Sequence, residues 1–546
     1  MSFTLKYLGK EKEFDKKVRL LDLLESEDKE IVCARVNNRV RELTYEVYYD
    51  AKIDFLTVKD SDAIRTYEAS LRYLVAMAFA RVYPDVKVRF CYNVSRSVFI
   101  QPVDPKVIVK PEMVKKVNDE MQKIIKADLP MKRFVVSKEE AAEIYKKNGM
   151  EDKLDILQYR PEKTVHLYDC DGYLNYMFSH MVPSTGYLSK YNLFLYSPGM
   201  ILQYPRSECG GEIPKFEDAP TFGKTLKESH QWAKIAGADS VAGINEHIHR
   251  DGVIDFIQLC EARHNRMLAK LGDLIESDIE NIRLICVAGP SSSGKTTFAN
   301  RLRIELLSRG LKPIRISIDD YYLTKDKAPK DIDGKPDLES IEALDIQLFN
   351  ENMFSLISGE EVTLPKFDFK LGKRVPGRTL KIGPNEPIII EGIHALNDRM
   401  TTLIPKHQKF KIFIAPQAQI NLDDANPISI TDLRLLRRLV RDYKFRGASA
   451  EETIGMWPSV RRGEFKWIYD TQEGADFVYN SMLSYELCVM KKYAMPLLQN
   501  VERESEYFPV AERLMRMLKY FDDMPDEWVP CNSLMKEFIG GSCYAD

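Results

Sequence analysis

The stretch that decides the fold is GPSSSGKTT, residues 289–297, which follows IRLICVA at 282–288 and precedes FANRLRIELLSRG at 298–310. It satisfies the pattern G-x-x-x-x-G-K-[ST] between an apolar, strand-like run and a helical segment. Glycines let backbone amides curl around phosphate oxygens, and the following helix offers its positive N-terminus. The stretch therefore predicts a nucleoside triphosphate site.

The phosphate loop itself, residues 289–297, supplies most of the predicted contacts to ATP. We expect Lys295 to reach the β- and γ-phosphates as a catalytic residue and the Thr296 hydroxyl to bind Mg²⁺. The other predicted ATP contacts lie along the same stretch: Gly289, Ser291, Ser292, Ser293, Gly294 and Thr297. A ligand-free turn rich in serine and glycine is the alternative, and the strand before it and the helix after it disfavour it.

Four short β-rich runs indicate the sheet that carries this loop: IRLICVAG, PIRISID, PIIIEG and KFKIFIA, with helical segments between most of them. That alternation is typical of a mainly parallel α/β sheet. Ligands of such sheets bind at the carboxyl ends of the strands. Acidic residues fall there, with Asp319 and Asp320 ending one strand and Glu391 ending another.

These strand-end acids suit phosphoryl transfer to a hydroxyl group. Such chemistry needs a carboxylate that orients the hydroxyl and accepts its proton, and further acid to hold Mg²⁺. The alternative is that acids in this position only cap loops and take no part in catalysis. Their occurrence together with the phosphate loop favours the functional interpretation.

The segment DLRLLRRLVRDYKFRG, residues 432–447, predicts a helix with two opposite faces. One face is apolar: Leu435, Leu436, Leu439, Val440 and Tyr443. The other is basic: Arg434, Arg437, Arg438 and Arg441. Clustered guanidinium groups repel one another unless an anion lies among them, and their forks match phosphate oxygens. We therefore favour a lid that closes on phosphate over a solvated basic face or an RNA-binding patch.

Composition and charge set the broad class. The chain has 546 residues, enough for two to four domains, with 44% hydrophobic residues, 29% charged residues and a net charge of −3. This charge gives no global attraction to nucleic acid or membrane. Nine cysteines without a C-x-x-C pair favour a reducing compartment. The longest apolar run, YLVAMAFA, is far shorter than a membrane span, so we expect a cytoplasmic protein.

The C-terminal half resembles the uridine kinase and phosphoribulokinase family of P-loop kinases. The resemblance rests on six motifs in order: GPSSSGKTT, SIDDYY, LESIEALD, LPKFDFKLGKR, IIIEGI and DLRLLRRLVRDYKFRG. It implies an ATP-dependent transferase with Asp319 as the catalytic base and with Thr296, Asp319 and Glu391 around Mg²⁺. It also implies that Arg441 and Arg446 close on the transferring phosphate.

The acceptor side departs from the uridine kinase pattern. The resemblance places Arg438 near the acceptor, Glu339 at the ribose-binding aspartate and Phe367 at the base-contacting tyrosine. Gly372 and Ala448 replace a histidine and an arginine of that pattern. Each replacement removes a polar contact, and such contacts carry strong discrimination. These losses argue against a site that reads pyrimidine edges and keep a sugar or a sugar phosphate open as the acceptor. A nucleoside, as in uridine or cytidine kinases, remains the first candidate because of the family resemblance.

Residues 1 to about 205 resemble the N-terminal region of threonyl-tRNA synthetase. The resemblance rests on KEFDKKVRLLDLL, RYLVAMAFARVYPD and VHLYDCDGYLNYMFSHMV. It implies a TGS-like β module and an editing-type domain. The editing ligands are largely replaced, by Ala69, Tyr73 and Tyr176, which leaves His180 alone. One imidazole is not a metal or editing site, so we expect no editing chemistry.

The expected fold class is α/β, with a P-loop NTPase kinase domain on a mainly parallel sheet, preceded by α+β accessory domains. The boundaries we expect are a TGS-like module at 1–60, an editing-like domain at 61–206, a helical linker region at 207–278, the kinase domain at 279–505 and a C-terminal extension at 506–546. His247, His249 and His264 in the linker region give only a weak metal signal.

The expected partner is a small-molecule acceptor. Assembly of the chain into a homo-oligomer stays open. An RNA-associated regulatory NTPase is the rival function from another class, in which the front half binds tRNA. The near-neutral charge and the missing editing ligands argue against it.

Overall fold

The computed structural model describes residues 2–544 except 26, 27, 251, 325, 332, 333, 335, 369, 370, 384 and 385. The first sixty residues form a five-stranded sheet in the order β2-β1-β7-β4-β5, in which only β1 and β7 pair in parallel, while β3 and β6 pair separately. The strands are β1 (Phe3–Tyr7), β2 (Lys10–Phe14), β3 (Val18–Arg19), β4 (Ile31–Val36), β5 (Arg39–Glu42), β6 (Glu46–Val47) and β7 (Ala51–Thr57).

The next part of the chain combines helices with two antiparallel sheets, β13-β14-β9-β8 and β10-β11-β12. Its first helix, rich in alanine, is buried along most of its length. The elements are α1 (Ser61–Val82), β8 (Val88–Val94), β9 (Ser97–Pro102), α2 (Pro111–Ala127), β10 (Lys132–Ser137), α3 (Lys138–Lys147), α4 (Glu151–Leu157), β11 (Thr164–Cys170), β12 (Tyr173–Asn175), β13 (Asn192–Tyr196) and β14 (Gly199–Gln203).

Three helices lead into the C-terminal half: α5 (Pro220–Ile235), α6 (Val241–His249) and α7 (Val253–Glu276). Ser240 begins α6 with a side-chain cap, accepting a hydrogen bond from the amide of Gly243 at 3.1 Å. The inner face of α7 is apolar and packs beside the helix that follows the phosphate loop.

A five-stranded, fully parallel sheet organises the C-terminal half, in the order β16-β19-β15-β20-β23. Its strands and first helices are β15 (Leu284–Ala288), α8 (Lys295–Ser308), β16 (Ile314–Ser317), α9 (Ile346–Ile357), β17 (Val362–Asp368), β18 (Lys373–Leu380), β19 (Ile388–Glu391) and β20 (Lys409–Ala415). The remaining elements are β21 (Asn421–Asp423), β22 (Asn426–Pro427), α10 (Ile430–Arg446), α11 (Ala450–Trp467), β23 (Phe477–Asn480), α12 (Glu486–Gln499), α13 (Phe508–Leu518) and α14 (Lys536–Ile539).

The fold class expected from the sequence is confirmed, since the C-terminal half is α/β with a parallel sheet and α+β elements precede it. The four β-rich runs correspond to β15, β16, β19 and β20. The fifth parallel strand, β23, is only four residues long, which is too short for a periodic signal. The apolar face of α10 is buried as expected, except for Tyr443, which is exposed.

The two halves are joined by buried polar contacts. Asp432, at the start of α10, accepts hydrogen bonds from Arg65 of α1 and from Arg513 of α13. The hairpin of β21 and β22 also lies against the front half, where the amide of Phe90 donates to the carbonyl oxygen of Asp424 at 2.9 Å. A buried carboxylate shared by two arginines fixes the start of α10 against both neighbouring helices.

Candidate functional site

The phosphate loop leaves β15 and enters α8 through backbone that only a glycine-containing sequence accommodates. A Cβ atom at Gly289 would lie 1.9 Å from the carbonyl oxygen of Ile414 in the neighbouring strand, so no side chain fits there. Gly294 has φ +89° and Ser292 has φ +60°, both in the left-handed region. The loop thus meets α8 at the N-terminus of that helix, where the helix dipole favours an anion.

Polar atoms of the loop are available to a phosphate group. Lys295 Nζ donates to the carbonyl oxygens of Gly289 and Pro290 at 3.0 and 3.1 Å, which curls the side chain over the loop. The Oγ atoms of Ser292 and Ser293 are buried and have no hydrogen-bond partner among the described residues. Buried hydroxyls of this kind require a partner, and phosphate oxygens can supply one, so the loop fits a nucleotide phosphate.

Asp319 and Glu391 come together at the carboxyl edge of the parallel sheet. β19 lies between β15 and β16, with Glu391 in register with Val287 and Ser317, and Asp319 follows β16 in a short 3-10 helix. Burial raises the pKa of both carboxyl groups, and the charge of Asp319 helps to raise that of Glu391 to about 7. Two carboxylates that repel each other in a buried site fit a divalent cation.

The Mg²⁺ ligands expected from the sequence can therefore be only a partial set. Within the described part of the chain, no group of three or more His, Cys, Asp and Glu side chains is arranged to hold a metal ion. Asp319, Glu391 and the Thr296 hydroxyl would have to be completed by water and phosphate oxygens. That is the usual arrangement for Mg²⁺ in sites that bind nucleotides.

Asp320, the second acid after β16, has a structural contact. Its Oδ1 accepts a hydrogen bond from the amide of Phe367 in β17 at 3.2 Å. Phe367 is buried, and its ring lies 5.9 Å from that of Tyr322. The charges of Asp319 and Glu339 both act on Tyr322, raising its pKa beyond the effect of burial. Asp320 thus anchors the strand that brings Phe367 beside the site.

Glu339 is half-buried, and one of its carboxylate oxygens is buried without a hydrogen-bonding partner within the described part of the chain. Its Oε2 has none among the described residues, although His394 donates to its backbone carbonyl at 3.0 Å. A Cβ atom at Gly463 would lie 2.3 Å from Glu339 Cβ, so a glycine in α11 makes room for it. Burial raises the pKa of Glu339 to about 7, with added repulsion from Glu464, while Arg438 and Lys295 oppose the rise.

Lys295 connects these groups electrostatically. Its charge acts to lower the pKa values of Asp319, Glu391 and Glu339, which places all three carboxylates around the phosphate loop. Burial in turn lowers the pKa of Lys295, and the acids oppose that change. The loop and the predicted base, metal and acceptor residues therefore form one site.

The expectation that the whole arginine face of α10 opens toward phosphate is wrong for Arg434 and Arg437. Both side chains are fully buried. Arg434 pairs with Glu464 of α11, and Arg437 pairs bidentately with Glu486 of α12 at 2.6 and 2.8 Å. The anions that offset the clustered charge are thus carboxylates from the two following helices, which the pattern of α10 alone does not reveal.

The other three arginines of this helix share one carboxylate. Arg438 donates to Ser291 Oγ at 2.8 Å. Arg438, Arg441 and Arg446 also lie within 3.6 Å of Asp442, itself buried, with Arg441 donating to it at 2.9 Å. The charges of Arg441 and Arg446 act on Asp319. These three arginines can reach a phosphate group only by sharing or leaving Asp442.

Two functional candidates carry no sequence motif. Glu464 binds Arg434 and Arg461 and also accepts from the amide of Ser291 at 3.2 Å, which holds the phosphate loop against α11. Glu537 of α14 accepts from the amide of Thr297 at 3.1 Å, and Leu534 lies over Gly294. Both acids reach the loop from distant segments, so spacing along the chain gives no signal for them.

In the front half, the residues at the positions of the synthetase editing ligands make structural contacts. Ala69 and Tyr73 are fully buried in α1. His180 Nδ1 lies 3.6 Å from Glu42 Oε1, and Tyr176 is buried. The linker histidines bind separate partners, with His247 facing the carbonyl of Ala236 at 2.6 Å, His249 facing Asp522 at 2.7 Å and His264 facing the carbonyl of Met482 at 3.1 Å.

Two further features of the chain concern its cysteines and its helices. All nine cysteines have free thiols. Of the helices described, none combines the length and the apolar composition needed to cross a membrane.

Sequence comparison relates the N-terminal region to threonine–tRNA ligases. The ligase of Carboxydothermus hydrogenoformans is 29% identical over 166 residues, 30% of this chain and 26% of that protein. The ligase of Listeria monocytogenes serotype 4a is 30% identical over 193 residues, 34% of this chain and 30% of that protein. This chain thus spans less than a third of the length of either relative.

Solved structures give a weak overall likeness. D-glycerate 3-kinase from Cryptococcus neoformans var. grubii is 16% identical, covers 48% of this chain and 89% of its own, and has a TM-score of 0.22. The structure titled "Structure of a Possible Uridine Kinase from Bacillus stearothermophilus" is 18% identical, covers 37% of this chain and 89% of its own, and has a TM-score of 0.25. With TM-scores this low, the two structures support no conclusion about this chain.

The family model described as "Phosphoribulokinase / Uridine kinase family" matches residues 284–487. The matched span includes the phosphate loop, the strand-end acids, Glu339 and the arginine-rich helix α10. Residues 284–487 of this chain therefore match the phosphoribulokinase / uridine kinase family of P-loop kinases, and the N-terminal part is similar to threonine–tRNA ligases.

Proposed function

We propose that this protein uses ATP and Mg²⁺ to phosphorylate a hydroxyl group of a small acceptor, namely a nucleoside. The observation that carries the proposal is the convergence of Lys295, Asp319, Glu391 and Glu339 at the carboxyl edge of one parallel sheet, where Glu339 Oε2 has no hydrogen-bonding partner among the described residues. A nucleotide site with no acceptor would have no need for the last of these acids.

Each residue has a distinct role in this proposal. The phosphate loop holds the triphosphate, with Lys295 leaving the loop carbonyls for the terminal phosphates. Asp319 orients the acceptor hydroxyl and takes its proton. Thr296, Asp319 and Glu391 would hold Mg²⁺, which offsets charge on the phosphates when bound. Arg441 and Arg446 are placed to stabilise the transferring group and keep water from it.

The acceptor side combines one polar group with one apolar face. Glu339 Oε2 is free to accept hydrogen bonds from hydroxyl groups, as a ribose-like diol offers. Arg438 lies between Ser291 of the loop and Glu339, acting on the pKa of the latter. Phe367 offers a ring for stacking but no hydroxyl for reading base edges. These features support a nucleoside and leave a pentose or a pentose phosphate as the second candidate.

The test is ATP consumption with Mg²⁺ across a panel of acceptors: uridine, cytidine, purine nucleosides, pentoses, pentose phosphates and glycerate. The Asp319→Asn variant serves as the blank. Phosphorylated uridine or cytidine is the expected product. Product from a sugar phosphate alone would reject the nucleoside but keep the kinase. No turnover above the blank with any acceptor would reject the proposal.

Replacing Glu339 by Gln is expected to lower kcat/KM for the acceptor by about 10- to 100-fold, since a hydrogen bond to a charged group contributes about 1.5–3 kcal/mol. The dissociation constant of ATP should stay unchanged because the phosphate loop is untouched. Steady-state kinetics with each substrate varied in turn measure both quantities. Glu342→Gln, an exposed acid three residues later, is the matched control and should behave as wild type. An unchanged kcat/KM in Glu339→Gln would remove this residue from the acceptor site.

Replacing Glu537 by Gln is expected to tighten nucleotide binding by about three- to tenfold. Its carboxylate accepts from the Thr297 amide at the N-terminus of α8, where a phosphate oxygen would compete for the same donor. Titration of a non-hydrolysable ATP analogue measures the effect. Glu527→Gln, an exposed change in the same C-terminal extension, is the control. Equal or weaker binding in Glu537→Gln would show that Glu537 does not compete with the nucleotide.

A further inference from the structure

A second cavity lies away from the phosphate loop, where three parts of the chain meet. Its volume is about 260 Å³. The front β module contributes Arg41, and the C-terminal extension contributes α13 with the residues just after it. The full lining is Arg41, Arg133, Arg160, Glu162, His166, Tyr176, Phe178, His180, Glu512, Arg516, Lys519 and Tyr520.

The lining is strongly cationic, with four arginines and one lysine against two glutamates. The two glutamates are already engaged. Glu162 pairs with Lys519 and lies 3.6 Å from Arg160, while Glu512 lies 3.5 Å from Arg39, which is outside the cavity. The two glutamates therefore do not neutralise the positive charge of the other arginines of the cavity.

Three of these arginines have no carboxylate within 4 Å among the described residues: Arg41, Arg133 and Arg516. Arg41 donates to the carbonyl of Val40 at 3.0 Å, and Arg516 donates to the carbonyl of Phe178 at 2.9 Å. The Arg133 side chain is exposed and makes no hydrogen bond or ion pair within the described part of the chain, while its backbone pairs with Tyr168 in the sheet. Guanidinium groups gathered without counterions repel one another, so their placement around one cavity favours the binding of an anion there.

Neighbouring groups respond to this positive field. The pKa of His166 is lowered to about 3 by burial, with repulsion from Arg133, Arg160 and Arg516 adding to the effect. Burial and the charge of Arg160 lower the pKa of Lys519 to about 8. Both changes disfavour further positive charge, as expected in a site that takes an anion.

We propose that this cavity binds a phosphate dianion, either inorganic phosphate or the phosphomonoester of a small metabolite. A phosphate monoester carries close to two negative charges at neutral pH and offers three acceptor oxygens in one group. Three arginine forks without acidic partners match that number of oxygens. The Arg160 guanidinium, held by the Tyr520 hydroxyl at 2.6 Å, borders the same space. A cavity of about 260 Å³ is large enough for a small metabolite.

The experiment is calorimetric titration of the full chain with inorganic phosphate and, separately, with ribose 5-phosphate. The comparison of the two dissociation constants distinguishes free phosphate from a monoester. The Arg133→Gln and Arg516→Gln variants are each expected to weaken binding by about tenfold or more. Arg133 is exposed and makes no contact that the fold needs, so its variant tests the site without disturbing the structure. Lys163→Gln, an exposed cation outside the cavity, is the matched control and should bind as wild type does.

The phosphate loop is a competing site, and Lys295→Met separates the two. The binding that depends on Arg133 and Arg516 should be unchanged in Lys295→Met. Binding that is weakened in Lys295→Met and unchanged in Arg133→Gln and Arg516→Gln would assign it to the loop and overturn the proposal. No binding of either compound at millimolar concentration would also overturn it. The proposal would also be overturned if neither small compound bound while a short single-stranded RNA bound in a way that required Arg133 and Arg516.

Discussion

Asp319→Asn is expected to lower the rate of phosphoryl transfer by about 10²–10⁴-fold while ATP still binds. Removal of a positioned general base has an effect of this size. Asparagine keeps the shape of the side chain but cannot take the acceptor proton, and it weakens the site proposed for Mg²⁺. The measurement is single-turnover transfer from ATP to the best acceptor of the panel, beside calorimetric titration of a non-hydrolysable ATP analogue.

Asp320→Asn is the matched control for this variant. Its side-chain oxygen can still accept the hydrogen bond from the Phe367 amide, so the strand that carries Phe367 should stay in place. We expect a change of less than about tenfold in the transfer rate, because Asp320 contributes position and no proton transfer. Wild-type turnover by Asp319→Asn would overturn its assignment as the base. Equal losses in both variants would point to a shared structural role.

Glu464→Gln is expected to lower the free energy of unfolding by about 3–5 kcal/mol, the cost of leaving buried charges without their partner. Glu464 is fully buried, and Arg434 and Arg461 both donate to it, as does the amide of Ser291. The variant retains one acceptor oxygen but loses the charge that offsets two guanidinium groups. The phosphate loop should loosen with it, because Ser291 loses a charged acceptor.

Urea unfolding followed by tryptophan fluorescence measures this loss. All four tryptophans lie after residue 230, and Trp457 lies 5.3 Å from the Arg434 guanidinium, so the signal reports on this region. Glu451→Gln, on the first turn of the same helix, is the control and should cost less than about 1 kcal/mol. A Glu464→Gln variant as stable as that control would mean that this ion pair does not stabilise the domain.

Local sequence determined the phosphate loop and the edge of the sheet on which it lies. Gly289, Gly294 and Lys295 act within a few residues of one another, and the strand before them and the helix after them are visible as short-range patterns. The acids Asp319 and Glu391 were predictable for a related reason. In a parallel sheet every strand ends at the same edge, so a strand-end position fixes the place of a side chain without knowledge of its neighbours.

The arginine-rich helix shows where this reasoning fails. Its periodic pattern correctly predicted a helix with clustered guanidinium groups, but it could not say which anion each one meets. Arg434 and Arg437 are held by Glu464 and Glu486, which belong to later helices. A periodic pattern shows which residues share one face of a helix. What each face contacts is decided by how the helices pack.

The acids at the site divide in the same way. Sequence alone placed Asp319, Glu391 and the phosphate loop, because backbone geometry and sheet polarity act over short distances along the chain. Only the tertiary structure brought Glu537 to the Thr297 amide and left Glu339 Oε2 buried without a hydrogen-bonding partner among the residues that the structure describes. It also gathered Arg41, Arg133 and Arg516 around one cavity from three separate segments. Burial and long-range charge depend on the whole packed chain, so they decide which of its many charged residues can act together.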